Sequence, residues 1–254
     1  MAERDRIISF CDQLLEVGES DDWCPNGLQV PGSREVTGVA TAVSAHLESI
    51  EAAIQSGAEL LICHHGLFWD FHPSALTEPM AARLKAALEA DLSIAAYHLP
   101  LDASPVTGNN ALLCRELGAE PEPARLGEAK GSFVGMVGRF PEPLALAELI
   151  DRVSAATGGR EPLTFDAGPD PVATLGVVSG AAASAIHEAI ALGLDAFITG
   201  EPAEHVMADA REGGINFLAA GHYATEVPGI RNLGMLVAQE FGVEEEFIDI
   251  PNPV

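Results

Sequence analysis

An internal repeat constrains the fold of this chain more than any other feature. Ala53-Ile54-x-x-Gly57 in the first half is matched by Ala189-Ile190-x-x-Gly193 in the second. Each glycine stands seven residues before a pair that leaves a buried strand, His64-His65 in one half and Gly200-Glu201 in the other. Residues 36–43 and 173–179 read as strands, and 47–55 and 183–191 as helices. The short apolar runs 60–63 and 196–199 have the pattern of fully buried parallel strands. Parallel strands need a crossover, so strand, helix and strand in this order form a βαβ unit. The repeat continues: strand 92–97 ends at His98 with Asp102 four residues on, and strand 215–220 ends near His222 with Glu226 four residues on. Helices come next at 110–117 and 230–241, closed by Gly118 and Gly242. The expected class is α/β, with two similar duplicated domains, 1–124 and 125–254. The seam is expected at 118–131, where Glu-Pro-Glu-Pro-Ala-Arg breaks the periodicity. Ahead of the first strand come an amphipathic helix at 7–17, an acidic turn at 19–22 and the turn signal Asn26-Gly27.

Charge excludes whole classes of partner. Thirteen basic residues face 38 acidic ones, a formal charge of -25. Duplex DNA or RNA backbone binding needs clustered Lys and Arg, and anionic lipid needs the same. The lysine-poor, acidic surface, with only Lys85 and Lys130, reads as a solubility or habitat signal. No run approaches a membrane span. The charged start MAERDRIISF lacks a signal-peptide pattern, so the expected compartment is cytoplasmic. Cys11, Cys24, Cys63 and Cys114 form no C-x-x-C pair and read as free, buried thiols.

The chemistry-bearing residues stand where buried strands end, which is where α/β folds bind ligands. Adjacent histidines in an extended segment point to opposite sides, so His64 and His65 are expected to serve two neighbouring ions, or one ion and its surroundings. Asp102 matches Glu226 across the repeat, and His98 matches His222. If the halves face each other, the cleft between them collects His64, His65, His222, Asp102 and Glu226. This mixed N/O set suits two divalent ions of the Zn, Mn, Fe, Ni or Co kind, with a carboxylate able to bridge them. His98 could be a ligand, a proton shuttle or a donor that orients Asp102. Phe68, Trp69 and Phe71 form an aromatic stretch that could stack a flat base, or serve as a lid or subunit contact. His46, His72 and His187 have no partner pattern and read as surface residues.

These motifs together carry a resemblance. His64-His65-Gly66, His98-Leu99-Pro100-Leu101-Asp102, Gly108-Asn109-Asn110, Gly200-Glu201 with His205, and Gly221-His222-Tyr223-Ala224-Thr225-Glu226 occur in the order found in the Nif-three-like family. The early Trp23-Cys24-x-Asn26-Gly27-Leu28-Gln29-Val30 is similar to its N-terminal motif. Members are often named GTP cyclohydrolase 1 type 2 homologues. The resemblance implies two α/β domains, a dinuclear metal centre between them, and a homohexameric toroid. It implies His64 and His222 on one ion, His65 and Asp102 on the other, and Glu226 as the bridge. Relatives often carry an acidic residue at the end of the first strand, where this chain has Val43-Ser44-Ala45-His46. The implied activity is metal-dependent hydrolysis: water attacks C8 of GTP and formate leaves, with His98 moving protons. Few Arg or Lys clamps stand near the motifs, which counts against a triphosphate. A non-catalytic metal scaffold, for storage, delivery or regulatory interaction, is the alternative. A metal-free oligomer with histidines at a polar interface is the third.

Overall fold

Aliphatic runs without polar alternation need neighbours on both faces and both edges, and the structure supplies them by parallel pairing. The computed structural model describes residues 1–18 and 21–254; Glu19 and Ser20 of the expected acidic turn lie outside the described residues. The chain packs as two units, Met1–Leu101 with Ile230–Ile250, and Asp102–Gly229 with Pro251–Val254. In chain order the first contributes β1 (Ala2–Glu3), α1 (Arg4–Leu14), β2 (Gly27–Val30), β3 (Glu35–Val36), β4 (Gly38–Ser44), α2 (Leu47–Ser56), β5 (Leu60–His65), α3 (Glu78–Glu89) and β6 (Ser93–Ala96). Helix α4 (Leu99–Ala103) runs across the boundary. Next come α5 (Asn109–Glu116), β7 (Glu120–Pro123), β8 (Glu128–Ala129), β9 (Ser132–Phe133), β10 (Met136–Leu144), α6 (Leu146–Ala156), β11 (Leu163–Phe165) and β12 (Val172–Val178). The second unit continues with a 3-10 turn at Ala183–Ala185, α7 (Ile186–Ala191), β13 (Ala196–Thr199), α8 (Val206–Gly213) and β14 (Asn216–Ala219). Helix α9 (His222–Phe241) and β15 (Glu244–Phe247) return the chain to the first unit.

The expected α/β class is what the structure shows, and the two sheets share a four-strand order. In the first unit β4, β5 and β6 are parallel neighbours, with β2 antiparallel beside β6. In the second, β12, β13 and β14 are parallel neighbours, with β11 antiparallel beside β14. The repeated glycines end their helices alike: Gly57 has φ 82° and Gly193 φ 68°, the left-handed conformation glycine adopts without steric cost.

The repeat extends to a carboxylate clamp two residues beyond each glycine. Glu59 Oε2 accepts the N–H groups of Thr37 at 2.9 Å and Gly38 at 3.0 Å, just ahead of β5. Asp195 Oδ2 accepts those of Ala173 and Thr174, both at 2.9 Å, just ahead of β13. Each clamp fixes the register at the start of its parallel pair.

The compact units do not coincide with the 1–124 and 125–254 halves. Beyond its third parallel strand, each half of the chain crosses to the other sheet. Strand β7 of the first half pairs with β10 in the six-stranded sheet. Strand β15 of the second half pairs with β4 in the five-stranded sheet. Each half thus covers an edge that would otherwise present unpaired backbone groups.

Helix α9 also differs from expectation. The helix expected at 230–241 begins earlier: α9 starts at His222 and carries Pro228 in its interior. Proline removes a single backbone donor from the ladder, and twelve further residues continue the helix beyond Gly229 to Phe241. His222 and Glu226 therefore lie one turn apart on a helix, not in a preceding loop.

Each unit has a core cluster of its own. Ala40, Ile50, Leu61, Cys63 and Ile94 belong to one cluster, and Leu113, Leu149, Leu175, Ile198 and Leu218 to another. All four cysteines are free and buried, as expected. Burial pushes the Cys11 and Cys114 thiols up to about 12, so neither is a thiolate at neutral pH. No helix among the described residues is long and apolar enough to cross a membrane. Asp195→Ala should leave two strand N–H groups without their acceptor and lower stability by about 1–3 kcal/mol in a urea melt. An unchanged midpoint and slope would show that the clamp does not set the register.

Candidate metal centre

In the first unit the C-terminal ends of β5 and β6 converge. The rings of His64 and His65 lie 4.6 Å apart, and His98 lies 5.1 Å from His64 and 5.6 Å from His65. One nitrogen from each of the three falls within 4.8 Å of the others, close enough for a shared cation. The two rings stay close although they bond to different neighbours, Tyr97 and Ser44.

The tautomers follow from the partners. His64 is fully buried, and its Nδ1 donates to the carbonyl of Tyr97 at 2.9 Å. A carbonyl only accepts, so the proton is on Nδ1 and Nε2 carries the lone pair, the ligating form. Nδ1 of His65 hydrogen-bonds Ser44 Oγ at 3.1 Å, so the serine that stands where relatives often carry an acid touches this imidazole.

His98 is held by Asp22, a residue that no sequence motif singled out. Its Nδ1 lies 2.8 Å from Asp22 Oδ1, while the N–H of Leu99 donates to Asp22 Oδ2 at 2.9 Å. The N–H of His98 donates to Asn26 Oδ1 at 2.8 Å. Burial alone would raise the Asp22 carboxyl, but hydrogen bonds from His98, Asn26 and Leu99 outweigh it and hold the group below its ordinary value. An ionised Asp22 accepting from Nδ1 leaves Nε2 of His98 as the basic nitrogen.

In the second unit, Asp102 is 6 % exposed and its Oδ1 accepts from Asn109 Nδ2 at 2.8 Å and Ser179 Oγ at 3.0 Å. The Gly108-Asn109-Asn110 motif acts as a strut. Asn109 Oδ1 accepts the N–H of Gly229 on α9 at 2.7 Å, and Asn110 Oδ1 accepts that of Ser179 at 2.7 Å.

His222 sits between two carboxylates. Its Nδ1 faces Glu201 Oε1 at 2.5 Å and its Nε2 faces Glu226 Oε1 at 3.1 Å. Burial by itself would lower the His222 pKa. Hydrogen bonds and charge from Glu226 and then Glu201 overcome that and raise it to about 9. The imidazolium proton on Nε2 supplies the positive charge that a metal cation would replace beside Glu226. Gly180 makes the room: a Cβ there would fall 2.5 Å from Glu226 Oε1 and 3.2 Å from His222 Nε2. Glu201, though part of the Gly200-Glu201 landmark, was not expected to act here. Carboxylate–histidine pairs of this kind orient metal ligands.

Two histidines read as surface residues have partners. The N–H of Ser49 donates to His46 Nδ1 at 3.2 Å, capping α2. His187 lies 3.5 Å from Asp209. Such contacts between helix ends leave no periodic trace in sequence. Trp69 donates to the carbonyl of Gly66 at 3.0 Å, and its ring lies 5.0 Å from that of His98. A pocket of about 430 Å³ beside it is lined by Phe68, Trp69, His72, Met80 and Arg83 among others.

Parallel strands that end in imidazoles and carboxylates, with their protons placed by backbone carbonyls and acids, define an α/β protein with side-chain groups that could hold a metal ion. The chain belongs to the Duf34/NIF3 (NGG1p interacting factor 3) family, whose model matches residues 2–253. It is 39% identical over 249 residues to a GTP cyclohydrolase 1 type 2 homolog of Deinococcus radiodurans, covering 98% of this chain and 93% of that one. It is 40% identical to the protein of the same description in Pseudomonas aeruginosa, covering 97% of each. Among solved structures it resembles protein ybgI, described as of unknown function, with TM-score 0.91, 36% identity and 100% of both chains covered. It also resembles TTHA1606 from Thermus thermophilus, with TM-score 0.87, 34% identity and 100% of both chains covered.

The raised His222 pKa has a consequence for the metal-free protein. Imidazole in the unfolded chain titrates near 6.5, and in the folded chain near 9. Charged His222 therefore stabilises the fold fully below about pH 6.5, and that contribution is lost as pH rises through about 9. In chelator, the stability gap between the wild type and His222→Gln should narrow from pH 6.5 to 9. A gap that stays constant or widens would show that the two carboxylates do not hold the proton.

Proposed function

We propose that the protein binds two divalent metal ions through His64, His65, Asp102, His222 and Glu226 and acts as a metal-dependent hydrolase. The observation that carries this reading is the fixed protonation of its imidazoles: Nδ1 of His64 is tied to the Tyr97 carbonyl, and His222 is gripped by Glu201 and Glu226. Such anchoring suits first-row divalent ions, with Zn, Mn, Fe, Ni and Co all compatible with the donors. In the arrangement proposed, His64 and His222 share one ion, His65 and Asp102 the other, and Glu226 bridges. Bound ions of this class supply Lewis acidity, which polarises substrate oxygens and acidifies water.

The chain's own residues supply the rest. Asp22 keeps Nδ1 of His98 protonated, so that Nε2 accepts a proton from the attacking water and returns it to the leaving group. Asn109 and Ser179 hold the Asp102 carboxylate in place. The aromatic pocket at Trp69 accommodates a flat base, and Arg83 in its wall offers one cationic group to an anionic substrate. Opening of a purine nucleotide ring, with GTP as the first substrate to try, is suggested by the names of the relatives. The reading also takes the protein to be cytoplasmic and homohexameric, without nucleic-acid or membrane partners.

Protein purified without chelator should carry close to two ions per chain by plasma mass spectrometry, and His65→Ala should carry fewer. His98→Gln should keep its metal but lose about 10²- to 10⁴-fold in kcat for formate release from GTP or for another nucleotide hydrolysis. No metal uptake by the wild type from Zn or Mn solutions would end the site assignment. Full metal content with no turnover across a nucleotide panel would favour a metal-binding scaffold.

A further inference from the structure

The second unit gathers another set of metal-ligating side chains, made of residues that play no part in the proposed centre. His205 is the N-cap residue of α8 and Asp209 lies one turn on, the i,i+4 spacing that places two side chains on one helix face. His187 reaches them from α7, which packs beside α8. Nε2 of His187 is 3.5 Å and Nε2 of His205 is 3.9 Å from Oδ2 of Asp209. The imidazole rings are 6.3 Å apart and only 12° from parallel. All three ligand atoms lie within 4.8 Å of one another.

The separations to Asp209 are close to those a metal requires. Tetrahedral zinc bonded at about 2.0–2.1 Å to nitrogen and oxygen sets its ligand atoms about 3.3 Å apart. The two separations to Asp209 need to contract by only a few tenths of an ångström. The side chains of His187 and His205 are 63% and 49% exposed, so they can close without disturbing a core. Asp209 is the fixed member. Its Oδ2 is buried and receives no hydrogen bond among the described residues. What faces that oxygen is the pair of imidazoles.

We propose that His187, His205 and Asp209 form a separate divalent-metal site of the zinc class, two nitrogens and one carboxylate, with further positions open to water. The bound ion clasps α7 to α8 and supplies the positive charge that the buried Asp209 oxygen lacks. The site does not rest on the hydrolase reading and stands if that reading fails.

The test is equilibrium dialysis of the full chain against Zn²⁺, with bound metal counted per chain. His187→Ala and His205→Ala should each bind one Zn²⁺ fewer than the wild type, while His65→Ala should retain the ion that depends on His187. Zn²⁺ should raise the melting temperature of His65→Ala, and the double variant with His187→Ala should lose that rise. Melting curves of the metal-free proteins should superimpose for wild type and His187→Ala, because His187 is exposed. Equal Zn²⁺ counts in wild type, His187→Ala and His205→Ala across the titration would overturn the proposal. If His65→Ala loses metal while those counts stay equal, this site alone fails. If only the His187-dependent ion is found, the proposed dinuclear centre fails instead.

Discussion

Strands β5 and β13 are each hydrogen-bonded along both edges by parallel neighbours, and the placement of the chemistry depends on that pairing. A strand held on both sides has no register to slip into, since a shift of one residue would turn its whole buried face around. Residues at its C-terminal end are therefore delivered to fixed places. For β5 these are His64 and His65; just beyond β13 stand Gly200 and Glu201. The clamps from Glu59 and Asp195 lock the opposite ends of the same pairs, so register is specified at both termini.

Histidine is useful here only because its surroundings decide which nitrogen carries the proton. Three devices appear in the chain: a backbone carbonyl for His64, an ionised Asp22 for His98, and paired carboxylates for His222. Each belongs to one unit and is complete within it. The excess of acidic residues is consistent with this use of carboxylates, which orient imidazoles and attract cations in the same stroke.

The exchange of β7 and β15 explains why compact units and sequence halves differ. After β6 the chain crosses at Leu101–Asp102, and after β14 it crosses within α9 at Gly229–Ile230. The matched carboxylates Asp102 and Glu226 stand at or just ahead of these crossings.

Much of this was legible in the sequence because it is written in short-range pattern. The apolar runs at 60–63 and 196–199, the glycines at 57 and 193 that end helices, and the histidine pair at a strand end are each local. They marked out the α/β class and both βαβ units within a residue or two. The spacing of His222 and Glu226 was visible too, although Pro228 hid the helix that carries them. Tertiary structure alone decided which long-range partners meet. Asp22 reaches His98 across 76 residues, Ser179 reaches Asp102 across 77, and Glu201 reaches His222 across 21. The same holds for His187 beside Asp209, and for the edges that β7 and β15 come to cover. Periodicity records which face of an element is buried; it carries no label for the neighbour that buries it, and a single polar contact leaves no period at all.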